Sequence, residues 1–259
     1  VSRAIQYGYR LFDTARSYQN EVALGRAIKK SGIPRTEFFI TSKVFLNEMS
    51  YEGCRKAVMD SLENLETDYL DLFLIHMPFG DYYGAYRALV EFYKKGIVKA
   101  IGVSNFLNDR LYDLYLHFDV PPMVNQIECH PHYQRIEELS FLTKLNIQLE
   151  GWAPFSEGMK GMFEEPILKE LAAKHQKSVA QIILRWNIQR RIITIPKTVH
   201  ENRMEENMAV FDFVLDLEDM NKIASLNRNI PSMLDVTKIE EIKRIYHYLD
   251  NPILTTLKE

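Results

Sequence analysis

The chain has 259 residues, 46% of them hydrophobic and 26% charged, which is ordinary for a globular protein with room for a sizeable core. Thirty-two basic against 35 acidic residues leave a net charge of −3 and no block of one sign, so nucleic acid is not an expected partner. Cys54 and Cys129 make neither a disulfide framework nor a metal cluster, and no membrane span or signal-peptide pattern is legible, so a cytoplasmic protein is expected.

Taken in chain order, seven short apolar runs read as strands: YRLFDTA (9–15), EFFITSKV (37–44), LDLFLIHMP (70–78), VKAIGVSNF (98–106), PMVNQIECH (122–130), IQLEGWAP (147–154) and RIITIPKT (191–198). The stretches between them carry helical spacing. Over 51–66, Cys54, Ala57, Val58, Ser61, Leu62 and Leu65 fall on one helix face. Ser178 with Gln181 forms a capping-box pattern, and Asp216 is placed to cap the helix LEDMNKIASL. Near the end, Ile239, Ile242, Ile245, Tyr246 and Leu249 give an amphipathic helix.

Strands alternating evenly with helices predict an α/β fold on a parallel sheet. No linker or low-complexity segment interrupts it, so one domain is expected over 1–259, closed by a helix and loop over 227–259. Without a GxGxxG or Walker loop, a doubly wound nucleotide fold is disfavoured. A (β/α)8 TIM barrel fits better. Seven strands are countable, so the first strand would precede Val1, where the sequence reads as the inside of a helix.

Each run ends in a chemically useful residue. The ends carry Asp13 and then Tyr18, Lys43, His76, Ser104-Asn105, Gln126 with Glu128 and His130, Trp152, and Lys197-Thr198. Singly, each has a plainer reading: a helix cap for Asp13 or Ser104, a snorkelling Lys43, a core His76 or Trp152. Together they would gather on one rim, because barrel catalytic groups stand at the C-terminal ends of strands.

These blocks resemble the aldo-keto reductase family. The likeness runs from the first helix to about residue 225 and is nearest to bacterial, NADPH-dependent members of the 2,5-diketo-gluconate reductase kind. It rests on Asp13-Thr14-Ala15 with Tyr18 and Asn20-Glu21, Lys43 in ITSKV, His76 in LIHMP, GVSNF (102–106), NQIE (125–128) and IPKTVHENRMEEN (195–207). The resemblance implies a carbonyl reductase whose small substrate, an aldehyde, ketone or keto-sugar, receives hydride from NADPH. Tyr18 would be the general acid and His76 would polarise the carbonyl. Lys43, held by Asp13, would lower the tyrosine pKa from about 10.

The same likeness assigns Ser104, Asn105 and Gln126 to the nicotinamide carboxamide and Trp152 to stacking against the ring. It assigns Lys197, Thr198 and Arg203 to a 2′-phosphate, and Glu206 and Asn207 to the adenine neighbourhood. Phe45, Met77 and His130 would line the substrate pocket, and a monomer is implied. Phe45 stands where a pocket Trp is frequent, and Met77 where Trp or Gln is. Gln19 replaces the usual Gly after Tyr18.

The family's opening hairpin and first strand have no counterpart after Val1. Two expectations follow: sequence missing upstream, or a catalytically impaired cofactor-binding or redox-sensing member. No metal is expected, because Cys129, His130 and His132 are neighbours whose side chains point in different directions.

Overall fold

All seven runs form strands in the computed structural model, which describes residues 1–159 and 161–250. They are β1 (Leu11–Asp13), β2 (Phe39–Val44), β3 (Leu70–Ile75), β4 (Val98–Ser104), β5 (Val124–Glu128), β6 (Gln148–Trp152) and β7 (Ile193–Thr194). They hydrogen-bond in chain order, β1 through β7. The pairs β1–β2, β2–β3, β3–β4 and β6–β7 are parallel. Such strands need crossovers, and helices supply them.

The contacts fall into two groups. The first comprises residues 1–125 and the segment that begins at Val236. Here β2 and β3 are buried along almost their whole length, as expected of parallel strands covered on both faces. The chain opens with the short helix Ser2–Gln6. The helix expected over 51–66 spans Tyr51–Asn64, with Ser50 Oγ accepting the Gly53 N–H at 3.0 Å. Cys54, Ala57, Val58 and Ser61 form its buried face. It stops short because Leu65 caps it and Glu66 turns to φ 51°.

Gly102 shows why the fourth run needs its glycine. A Cβ there would lie 2.4 Å from the Val124 carbonyl oxygen and 2.9 Å from Leu74 Cδ2. The glycine of GVSNF thus serves close approach between strands.

The second group, residues 126–235, holds the end of β5, β6, β7 and the helices between and after them. The capping box of Ser178 with Gln181 is present, and Asp216 caps Leu217–Ala224 in a second box with Asp219. Strand β7 is only two residues long, because Pro196, two residues on, has no N–H for a ladder.

The expected tail helix spans Ile239–Asp250. Residues 251–259 of the 227–259 segment lie outside the described residues. Among the described residues, no helix is long and apolar enough to cross a membrane.

Candidate active site

The C-terminal ends of β1, β2 and β3 bring Asp13, Lys43 and His76 together. Asp13 closes β1 opposite Thr41, and Lys43 lies two residues beyond Thr41 on the same face of β2. The lysine is fully buried, with its ammonium 2.5 Å from Asp13 Oδ1 and 3.0 Å from the Thr14 carbonyl oxygen. An ammonium has three N–H donors. Its charge lies close enough to the Tyr18 hydroxyl to favour the tyrosinate. The Lys43 nitrogen lies 5.0 Å from the centre of the Tyr18 ring.

Tyr18 sits in the 3-10 turn Arg16–Tyr18. Its residue surface is 36% accessible, and loss of hydration is the largest influence on its acidity. Burial pushes the phenol above its ordinary value; Lys43 pulls it part of the way back and Asp13 opposes that pull. The expectation of a lowered tyrosine pKa is therefore corrected: loss of hydration outweighs the nearby cation.

His76 directly follows β3 and is 7% exposed. Its ring stands edge-on to Tyr18, centroids 5.7 Å apart, and to Phe45, centroids 5.5 Å apart. Burial, then the charge of Lys43, holds the imidazole well below its usual pKa, so it is neutral. Its Nδ1 is buried and has no hydrogen-bond partner among the described residues.

At the end of β4, Ser104 and Asn105 are both buried. Asn105 adopts φ 63°, a left-handed conformation that asparagine tolerates better than most residues. Its Nδ2 donates to the His76 carbonyl oxygen and to Ser104 Oγ, each at 3.1 Å. Met77, half-buried, places its sulfur 3.7 Å from the same nitrogen.

The second group holds the other residues singled out above. Gln126 is buried in β5, and Trp152, half-buried, ends β6. Lys197 and Arg203 are exposed, flanking and entering the helix Glu201–Met208. Thr198 Oγ1 accepts the His200 N–H at 3.1 Å. Glu206 accepts from the Ser178 hydroxyl, and Asn207 is 7% exposed.

With this geometry in view, the relatives are informative. The model of the aldo/keto reductase family matches residues 1–228. The chain belongs to that family. A glyoxal reductase of Bacillus subtilis is 46% identical over 230 residues, covering 88% of this chain and 83% of that protein. An aldo-keto reductase from a Medee basin deep-sea metagenome library superposes with a TM-score of 0.90 at 42% identity, covering 92% of this chain and 89% of that one. A Bombyx mori aldo-keto reductase crystallised with NADP gives a TM-score of 0.86 at 32% identity, covering 91% of this chain and 84% of that one. The fold is of the family's (β/α)8 class, with seven strands among the described residues.

Within this aldo/keto reductase, three interactions are not given by the spacing of the motifs. Thr14 matters through its carbonyl oxygen, which a sequence does not display. Arg16, in a variable position of the tyrosine segment, meets Glu48 at 2.8 Å, Asp60 at 2.9 Å and Glu21 at 3.3 Å. Glu21 is buried and also accepts from Ser42 at 2.6 Å, Ser61 at 2.7 Å and Asn64 at 3.0 Å. A glutamate one step into a helix, facing two small hydroxyl residues, was the available signal.

His130 has no accessible surface, and its Nε2 lies 2.9 Å from Glu128, so it presents no face to a ligand. Cys129, His130 and His132 turn to Asn187, Glu128 and Glu165 respectively.

Proposed function

We propose that this aldo/keto reductase reduces small aldehydes and dicarbonyls with NADPH, using Tyr18 as the acid. One observation carries the reading: a fully buried ammonium, Lys43, held by Asp13 and the Thr14 carbonyl and lying 5.0 Å from the centre of the Tyr18 ring, beside a neutral His76. The names of glyoxal- and carbonyl-reducing relatives support the substrate class.

Each group of the fold holds residues of the chemistry that a nicotinamide dinucleotide needs. Lys197 and Arg203 are exposed cations at the start of the helix Glu201–Met208, and two fixed cations with peptide N–H groups suit a phosphate dianion. Ser104 and Asn105 offer hydroxyl and amide groups at a strand end, and Trp152 offers a flat apolar ring. When bound, the reduced nicotinamide supplies hydride to the carbonyl carbon.

The protein's own work concerns the oxygen. A neutral imidazole at His76 is a hydrogen-bond donor that polarises the carbonyl without adding a second buried positive charge beside Lys43. The phenol of Tyr18, raised by burial, keeps its proton at neutral pH and gives it to the alkoxide, a stronger base than phenolate. Lys43 then holds the tyrosinate until it is reprotonated, and Asp13 keeps the lysine charged and aimed.

The test is NADPH consumption with glyoxal, methylglyoxal and an aromatic aldehyde, with Tyr18→Phe beside the wild type. Turnover that falls at least about a hundredfold in the variant is expected. Equal rates in both would dismiss Tyr18 as the acid. NADPH binding without turnover on any carbonyl would favour the non-catalytic, cofactor-binding reading instead.

A further inference from the structure

Glu21 opens the helix Glu21–Lys30, yet its carboxylate is buried, the residue only 4% exposed. A charge at that depth needs hydrogen-bond partners. Its Oε1 accepts the hydroxyls of Ser42 at 2.6 Å and Ser61 at 2.7 Å. Its Oε2 accepts the Asn64 amide at 3.0 Å and the Arg16 guanidinium at 3.3 Å. Two carboxylate oxygens offer about four acceptor positions, so these donors saturate the group.

Helix packing brings the carboxylate to that place. Gly25 lies one turn further along the same helix, and a Cβ on it would stand 2.6 Å from the carbonyl carbon of Leu65. The absent side chain lets this helix lie directly on the residue that ends the helix Tyr51–Asn64. One turn back in each helix, Glu21 meets Ser61.

The other partners of Glu21 are neighbours of the site. Ser42 directly precedes Lys43 in β2, and successive side chains of a strand point to opposite faces. The bond to Glu21 therefore holds the strand from behind the lysine. Arg16 begins the 3-10 turn that ends at Tyr18. The ladders to β1 and β3 fix β2 within the sheet, whereas its height against the helices is set by side chains. The 5.0 Å between the Lys43 nitrogen and the centre of the Tyr18 ring is thus a distance between two elements that meet on one carboxylate.

We infer that Glu21 is a positioning residue for Tyr18 and Lys43: it holds β2 through Ser42 and the tyrosine turn through Arg16, and so fixes the acid and the cation relative to each other. The inference rests on the carbonyl-reductase reading above. Ser61 and Asn64 anchor Glu21 itself.

The experiment uses the full chain and two matched variants, Ser42→Ala and Ser61→Ala. Each deletes one hydroxyl from the same carboxylate oxygen; behind the first stands β2, behind the second a helix that carries no group of the site. Urea midpoints, kinetics with glyoxal and NADPH, and the 13C signals of the Tyr18 ring, assigned by their loss in Tyr18→Phe, are measured for both. Similar falls in the urea midpoint are expected. Ser42→Ala should lower kcat about tenfold, leave the KM for NADPH within about twofold and move the Tyr18 signals. Ser61→Ala should leave kcat within about twofold and the signals in place. Equal kcat in the two variants overturns the positioning role. A third variant, Glu21→Leu, removes the acceptor; adding Ser42→Ala to it should lower kcat no further, and a second tenfold fall would show that Ser42 acts without Glu21. Should Glu21→Leu fail to fold, the serine pair decides. A wild type that turns over no carbonyl sinks the reductase reading alone; the Tyr18 signals then judge the positioning, which is overturned if Ser42→Ala and Ser61→Ala leave them alike.

Discussion

Arg16 leaves the turn that carries Tyr18 and sets its guanidinium 2.8 Å from Glu48, on the 3-10 turn that follows β2. The same group reaches Asp60 and the buried Glu21. One side chain therefore ties the turn that carries Tyr18 to three other elements of the first group. Arg16→Ala should leave three carboxylates short of a cation and cost about 2 kcal/mol, read from urea unfolding. The loosened turn should also lower kcat while leaving NADPH affinity within about twofold. Unchanged stability would show that the cluster is solvated and idle.

Lys43 and Asp13 form a pair that punishes single substitutions. Lys43→Met strands the Asp13 carboxylate, 11% accessible, and removes the positive charge beside Tyr18. A loss of about 3 kcal/mol and a fall in turnover of at least about a hundredfold are expected. Adding Asp13→Asn should restore most of the stability and none of the activity. Recovery of both would mean that the lysine serves only the fold.

His76 predicts a pH dependence of stability. Its folded-state pKa lies well below that of the unfolded chain, so below about pH 6.5 the unfolded state binds a proton that the folded state refuses. Stability contributed by the neutral ring is present above that pH and declines as the pH falls, by up to about 1.4 kcal/mol per unit. His132 is depressed as well, chiefly by burial, and acts with the same sign. Urea midpoints at pH 7.5, 6 and 5 should fall less steeply for His76→Gln than for the wild type. Parallel slopes would contradict a buried neutral imidazole.

Gln19, directly after Tyr18, holds φ 54° and ψ 29°, a left-handed conformation that costs an L side chain roughly 1 kcal/mol. Gln19→Gly should raise the thermal midpoint by a few degrees, equivalent to about 1 kcal/mol. A lowered midpoint would show that the glutamine side chain contributes more than its backbone costs.

Much of this was legible in the residues. Seven apolar runs gave seven strands, since short buried strands announce themselves by continuous hydrophobicity and by the polar residue that ends each one. Ser178 and Asp216 announced their caps because capping needs specific side chains at fixed offsets. Other features depend on backbone atoms or on distant partners, which spacing does not encode. The Thr14 carbonyl under Lys43 is one, the donors that meet on Glu21 another. The acidity of Tyr18 was misjudged because the charge of Lys43 can be inferred from a motif, whereas the depth of burial around a hydroxyl cannot.

Asn105 donates one amide group to both the His76 carbonyl and the Ser104 hydroxyl. The side chain proposed to read the nicotinamide therefore also steadies the backbone of the residue proposed to grip the substrate oxygen. Altering it to change cofactor preference would disturb both partners of the reaction at once. Re-engineering for another dinucleotide belongs at Lys197 and Arg203, the cations proposed to hold its phosphate, which lie far along the sequence from His76.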